Sequence, residues 1–271
     1  MRLSPRLLKL AGKVPDYAVV ADIGTDHALL PIYLVSTGKC PRAIAVEVHE
    51  GPYEVARAAI ESFAMGDAVD LRRGDGLKPL MPGEVDAVVI AGLGGGQMIR
   101  MLEDAPQVRA SVPWFVFQPM DDAADLRRFL VDHGFRLADE ELVRDGDEIY
   151  EIICAAPGRE RIDDDLLYEV GPRNVERRDP LLAEFIERRI QRYRRILIQV
   201  EQGRTQRAVD AMRELQRLIR RLDDLARTVT APARGAVDRP NADPDAPFPW
   251  PTPPSPPPAT PPSPPMMGAG R

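Results

Sequence analysis

The chain has 271 residues, 44% of them apolar, enough to bury one large core or two modest ones. No run approaches the roughly 18 uninterrupted apolar residues of a membrane span, and the opening MRLSPRLLKLAGKVP has no cleavable apolar segment, so a cytoplasmic protein without membrane partners is expected. The formal charge of −6 is uneven: residues 1–158 hold 16 Lys and Arg against 25 Asp and Glu, a net of −9, while residues 159–271 hold 20 against 17, a net of +3 carried by Arg alone.

Ser4-Pro5 reads as a helix start, Ser capping and Pro at the first helical position, with the helix running to about Lys13. Short apolar runs then alternate with helical ones. Strands are expected over 18–23, 43–47, 69–72, 87–91 and 114–118, with helices over 28–36, 52–65, 95–102 and 121–133 between them. That alternation implies a parallel sheet covered by helices. Two more strands, 136–144 and 148–155, flank Asp145-Gly146, a strong hairpin signal that ends the sheet with an antiparallel pair. The fold class is therefore α/β, a Rossmann-like sheet of the methyltransferase type over residues 1–157.

Pro157-Gly158 marks a boundary, after which the composition turns helical. Apolar residues recur at Ile186, Ile190, Tyr193, Leu197 and Val200, and again at Ala208, Met212, Leu215, Ile219 and Leu222, with Gly203 between the two sets. This predicts an antiparallel coiled-coil hairpin over 158–230, or one long helix with a phase change. Residues 231–271 lose periodicity, and 240–265 hold 14 of the 28 prolines, so an extended, disordered tail is expected. Cys40 and Cys154 are too few for a disulfide framework or a Cys-based metal site; both read as core residues, and no metal site is expected.

The chemistry falls at strand ends. The first strand runs into Asp22-Ile23-Gly24-Thr25-Asp26-His27-Ala28, where Gly24 lets the backbone approach a nucleotide-like ligand. One Gly does not make the G-x-G-x-x-G fingerprint, which argues against an NAD-dependent oxidoreductase. Asp22 would repel a pyrophosphate but suits the ammonium of a methionine moiety, which points to S-adenosyl-L-methionine, with Thr25 in the same loop. Glu47 closes the second strand, 23 residues after Gly24, where a carboxylate accepts hydrogen bonds from ribose hydroxyls; the alternative is a solvated strand end. Gly74-Asp75-Gly76-Leu77 is either a turn offering Asp75 and backbone N–H groups at Gly76 to an adenine edge or a plain tight turn. Gly92-Leu93-Gly94-Gly95-Gly96 ends the fourth strand, and so many glycines imply close approach of another group, taken as substrate or sulfonium. No Asn/Asp-Pro-Pro-aromatic clamp is present, so an acceptor other than an exocyclic amine is favoured.

The blocks LSPRLL (3–8), ADIGTDHALLPIYL (21–34), EGPYEVAR (50–57), GDGL (74–77), VIAGLGGG (89–96), FQPM (117–120) and IYEII (149–153) resemble the bacterial tRNA adenine-22 N1-methyltransferases, the TrmK family. They occur in family order and cover most of residues 1–157. Met120 departs from the family's frequent Asn after Gln-Pro, and the Pro-rich tail lies outside the pattern. The resemblance implies methyl transfer to N1 of an adenine in tRNA, and a C-terminal helical hairpin. Asp26 is then the candidate carboxylate for the N6 amine, His27 its neighbour that orients the loop or touches the base, and Gly92, Leu93 and Gly94 the floor under a flipped base. Arg188, Arg189, Arg192, Arg194 and Arg195 are candidates for phosphate contacts, or else a solvated helix face. A monomer is expected. A methyltransferase of small molecules or proteins and a non-catalytic binding module remain the competing readings.

Overall fold

The computed structural model describes residues 1–200 and 206–230, so Gly203 and the Pro-rich segment lie outside the described residues. Helix α1 (Pro5–Lys13) starts as its sequence dictates, with Pro5 in the first turn and Ser4 Oγ accepting from Leu7 N–H. Five parallel strands follow: β1 (Val19–Ile23), β2 (Arg42–Glu47), β3 (Val69–Arg73), β4 (Ala87–Leu93) and β5 (Trp114–Pro119). The hairpin β6 (Phe135–Asp145) and β7 (Glu148–Pro157) turns at Gly146-Asp147, one residue later than expected because Asp145 still pairs with Glu148, and it joins β5 antiparallel through β7. The strand order is β3-β2-β1-β4-β5-β7-β6. Residues 43–46 and 87–90 are wholly buried, the continuous apolar runs expected of central strands covered on both faces.

The covering helices are α2 (Leu29–Ser36), α3 (Glu50–Ser62), α4 (Gly95–Asp104), α5 (Pro106–Ser111) and α6 (Ala123–Asp132). Helix α5 goes beyond the sequence expectation: at six residues it is too short to display a period, although Pro106 occupies its first turn. After the sheet come α7 (Leu166–Val170) and α8 (Pro172–Arg177), also unexpected, at five and six residues, then α9 (Leu182–Val200) and α10 (Gln206–Thr230). The last two pack side by side with five residues between them and so run antiparallel. Ile186 and Ile190 share a buried cluster with Ile219 and Leu222, as the apolar spacing requires, and Leu142 of β6 belongs to the same cluster. No helix among the described residues is long and apolar enough to cross a membrane.

The chain leaves β1 toward β2 and β3, then returns to place β4 on the other side of β1. The crevice beyond the carboxyl ends of β1 and β4 is therefore the topological switch point where open α/β sheets take ligands.

A buried polar network joins the helical segment to the sheet. Arg127 of α6 is fully buried; its Nε donates to Glu140 Oε1 at 2.6 Å, Nη2 to Glu151 Oε2 at 2.7 Å and Nη1 to the Tyr168 carbonyl at 2.9 Å. Glu140 also accepts from Arg173 N–H, and Glu151 from Arg189 of α9. Burial works against the Arg127 charge, but the two carboxylates outweigh it and raise its pKa. Gly171, at φ +84°, passes so close that a Cβ there would lie 2.9 Å from both Arg127 Nη2 and Glu140 Oε1. Removing the cation strips Glu140 of its counter-charge in a dry site, so Arg127→Met is expected to cost about 3–5 kcal/mol in urea unfolding. A loss below about 1 kcal/mol would contradict this account of the network.

Candidate functional site

A cavity of about 440 Å³ opens at the switch point. The β1–α2 loop contributes Asp22, Gly24, Thr25, Asp26 and His27 to its wall; β2 contributes Glu47 with Val48 and His49; the turn after β3 contributes Gly74 and Gly76; β4 contributes Gly92 and Leu93; and α1 closes one side with Arg6 and Leu7. Of the cavity-side groups predicted from sequence, Asp75 and Gly94 are outside the lining. Asp75 pairs with Lys78 at 2.7 Å, and the turn lines the cavity with Gly74 and Gly76. A second hollow, of about 560 Å³ between α1 and α2, contains none of the predicted groups, and its acid and base, Asp16 and Lys39, are paired at 2.5 Å.

The two loops at the cavity floor are tied together by backbone donors. Gly24 and Thr25 N–H both donate to the Val46 carbonyl, at 2.9 and 3.0 Å. Glu47 Oε1 accepts from Val48 and His49 N–H at 2.9 and 3.0 Å, and Oε2 accepts a longer bond from Asp26 N–H at 3.3 Å. A carboxylate held this way keeps a fixed orientation and retains lone pairs for hydroxyl donors of a ligand. Asp22 is buried beneath it and accepts from Thr25 Oγ1 at 2.7 Å. Burial, with the Glu47 charge adding to it, pushes the Asp22 carboxyl up to about 6 against the opposing Thr25 hydrogen bond.

Above this floor the loop is strained. Gly24 sits at φ +73°, and Asp26 and Ala28, neither of them glycine, both adopt φ +52°. Such a conformation costs about 1–2 kcal/mol per residue, and strain of this kind concentrates at functional sites. It throws Asp26 and His27 out to the rim, their side chains 62% and 57% exposed, with His27 Nδ1 2.8 Å from Asp26 Oδ2.

The glycine run has a cause different from the expected one. A Cβ on Gly95 would meet the Asp122 carbonyl at 2.6 Å, and one on Gly94 would meet Asp121 Oδ1 at 2.7 Å. These two glycines let the start of α4 pack on the start of α6, so the group they approach is the protein's own, whereas Gly92, at φ +74°, borders the cavity.

Arg6 lines the cavity and is held there by the buried Gln118, roles that sequence reasoning did not assign. Arg6 Nη1 donates to Gln118 Oε1, and its guanidinium lies 5.2 Å from the Tyr150 ring centroid. Ser4-Pro5 signals the helix, but no local pattern tells that Arg6 would face the strand ends.

The five arginines of α9 point in different directions, because neighbours on a helix stand about 100° apart. Arg189 is turned inward, 12% exposed and bonded to Glu151 and the Glu169 carbonyl, which removes it from any external phosphate face. Arg188 bonds Glu184 and the Asp147 carbonyl, and Arg194 pairs with Asp223 at 3.6 Å. Arg192 and Arg195 are exposed and have no ion pair among the described residues.

The two floor carboxyl groups, Asp22 and Glu47, repel a pyrophosphate there and suit a cationic, hydroxyl-bearing ligand, while the one guanidinium, Arg6, lies on the α1 side of the cavity. Among the described residues no group of three or more His, Cys, Asp and Glu is placed to hold a metal ion. The methyltransferase-domain family matches residues 3–153. A tRNA (adenine(22)-N(1))-methyltransferase of Bacillus subtilis is 35% identical over 158 residues, 58% of this chain and 66% of its own length. The solved structure of the B. subtilis m1A22 tRNA methyltransferase TrmK superposes with a TM-score of 0.76 at 29% identity, over 83% of this chain and 99% of that one. A Streptococcus pneumoniae protein proposed to be a tRNA (m1A22) methyltransferase, solved with S-adenosyl-L-methionine, is also 29% identical with a TM-score of 0.72, over 83% and 100%.

Because the folded-state value of Asp22 lies above its ordinary 3.8, ionising it costs stability, a cost that develops as pH rises from about 4 through about 6. Asp22→Asn removes the charge and keeps an acceptor for Thr25. It should be more stable than the parent by about 2–3 kcal/mol at pH 7.5, with the gain shrinking toward zero at pH 4 in urea titrations. A gain that does not change with pH would contradict the burial argument.

Proposed function

Since this chain belongs to the methyltransferase-domain family, in its TrmK branch, we propose that it methylates N1 of adenine 22 in tRNA with S-adenosyl-L-methionine as donor. The observation that carries the reading is the pairing of a buried, acidic cavity floor at the switch point with a strained, carboxylate-bearing rim.

The floor fits the donor. A cavity of about 440 Å³ lies within the roughly 300–1,000 Å³ of small-molecule sites. Asp22 would hold the methionine ammonium, Glu47 the ribose hydroxyls, and the backbone at Gly74 and Gly76 the adenine edge, with Gly24 and Thr25 shaping the turn. When bound, the donor supplies an electrophilic methyl group on a sulfonium.

The remaining task of the chain is to place the acceptor. Adenine N1 already carries a lone pair, so no residue has to strip a proton from it before attack; holding N1 in line and stabilising the charge that the ring acquires are what is required. Gly92 and Leu93 form the floor beneath the flipped base. Asp26 accepts from the N6 amine, which becomes more acidic as the ring turns cationic, and His27, 2.8 Å away, orients that carboxylate. Residues 1–157 form the catalytic unit and 158–230 the helical one, with Arg192 and Arg195 its exposed candidates for phosphate. The protein works as a cytoplasmic monomer, one chain supplying every group named.

Nucleoside mapping by mass spectrometry of tRNA incubated with the protein and isotope-labelled donor tests the whole reading: label at N1 of adenine 22 is expected, and label elsewhere or none overturns it. Asp26→Ala should then lower turnover about 100-fold or more while leaving donor affinity within about threefold. Near-parental turnover would remove Asp26 from the acceptor site.

A further inference from the structure

Helix α1 carries three cations along the β5–β7–β6 side of the sheet, and two are neutralised. Lys9 pairs with Glu141 at 2.5 Å, and Lys13 with Asp139 at 3.0 Å and Glu141 at 2.6 Å. Arg6, one turn earlier, lines the cavity instead, and no carboxylate among the described residues pairs with it. Its partners are uncharged: the Gln118 Oε1 oxygen and the face of the Tyr150 ring. Gln118 is fully buried, and its Nε2 donates to the Pro119 carbonyl at 3.0 Å, so the acceptor oxygen cannot turn away. Neutral groups thus fix a guanidinium in place and leave its counter-charge to be supplied from outside. It stands beside Gly92, where a Cβ would be 3.6 Å from Nη1.

On the reading that the site methylates an adenine of tRNA, we propose that Arg6 binds a phosphate flanking the target nucleotide, with Gln118 and Tyr150 as its positioning residues. The base itself is the wrong partner for a fixed cation, because N1 methylation makes the ring positive and a guanidinium on its edge would oppose the reaction. A phosphate is the anion that must arrive whenever a nucleotide is flipped into this cavity, and a guanidinium fork matches its geometry. The contact is blind to sequence and fixes the register of the strand.

The test is a double-mutant cycle between Arg6→Gln and tRNAs carrying a single uncharged methylphosphonate on the 5′ or 3′ side of the target adenosine. Arg6→Gln should raise the KM for tRNA about tenfold, change kcat little, and reduce the slope of log affinity against log salt by about one contact. One of the two methylphosphonates should impose a similar loss on the parent and no further loss on Arg6→Gln. Arg6→Lys, which keeps the charge but not the fork, should recover part of the affinity, and circular-dichroism melting within about 2 °C of the parent would verify the fold. Additive losses in both cycles, or an unchanged salt slope, would overturn the assignment while leaving the methylation reading intact. A parent protein that does not methylate the tRNA would overturn that reading, and this inference with it.

Discussion

Glu47 is where the site is put together. Its carboxylate takes backbone N–H donors from its own loop and from the loop after β1, so one side chain fixes the spacing of the two segments that form the cavity floor. Each backbone donor would otherwise need water or another acceptor, and a charged acceptor makes these bonds stronger than neutral ones. The same negative charge has a second effect below. It adds to the burial of Asp22, which pushes that carboxyl up to about 6. A floor lined by two carboxyl groups favours a cation there and disfavours a phosphate.

The second constraint lies at the other end of the sheet. Arg127, Glu140 and Glu151 form a buried ion cluster that binds α6, β6 and β7 to the carbonyl of Tyr168, to Arg173 and to Arg189. Such clusters rarely add net stability over apolar packing, but they are intolerant of a missing member. Here the geometry makes the helical hairpin an extension of the sheet rather than an independent body, with Leu142 of β6 packed into the core of the hairpin. Whatever α9 and α10 touch is therefore held at a set distance from the cavity.

Much of this was readable from sequence, for local reasons. Continuous apolar runs marked the buried parallel strands, Asp145-Gly146 marked the hairpin, and the interval from Gly24 to Glu47 placed two loops at one crevice. What escaped depends on contacts between segments far apart in the chain. The six-residue helices α5 and α8 carry no period to detect. Arg6 acquires meaning only through Gln118, 112 positions away. Gly94 and Gly95 looked like ligand glycines because close approach is visible in composition while the approaching partner, the start of α6, is not. Five arginines in eight residues looked like one basic face, and the helical rotation turned Arg189 inward.

The central claim is that Asp22 at the base of the crevice receives a cation. It is tested most directly by calorimetric titration of the protein with S-adenosylhomocysteine at pH 6 in two buffers of different ionisation enthalpy. An ammonium settling beside a carboxyl that titrates at about 6 should expel about half a proton per ligand bound, seen as a buffer-dependent heat that is lost in Asp22→Asn. Binding with the same heat in both buffers would contradict the account.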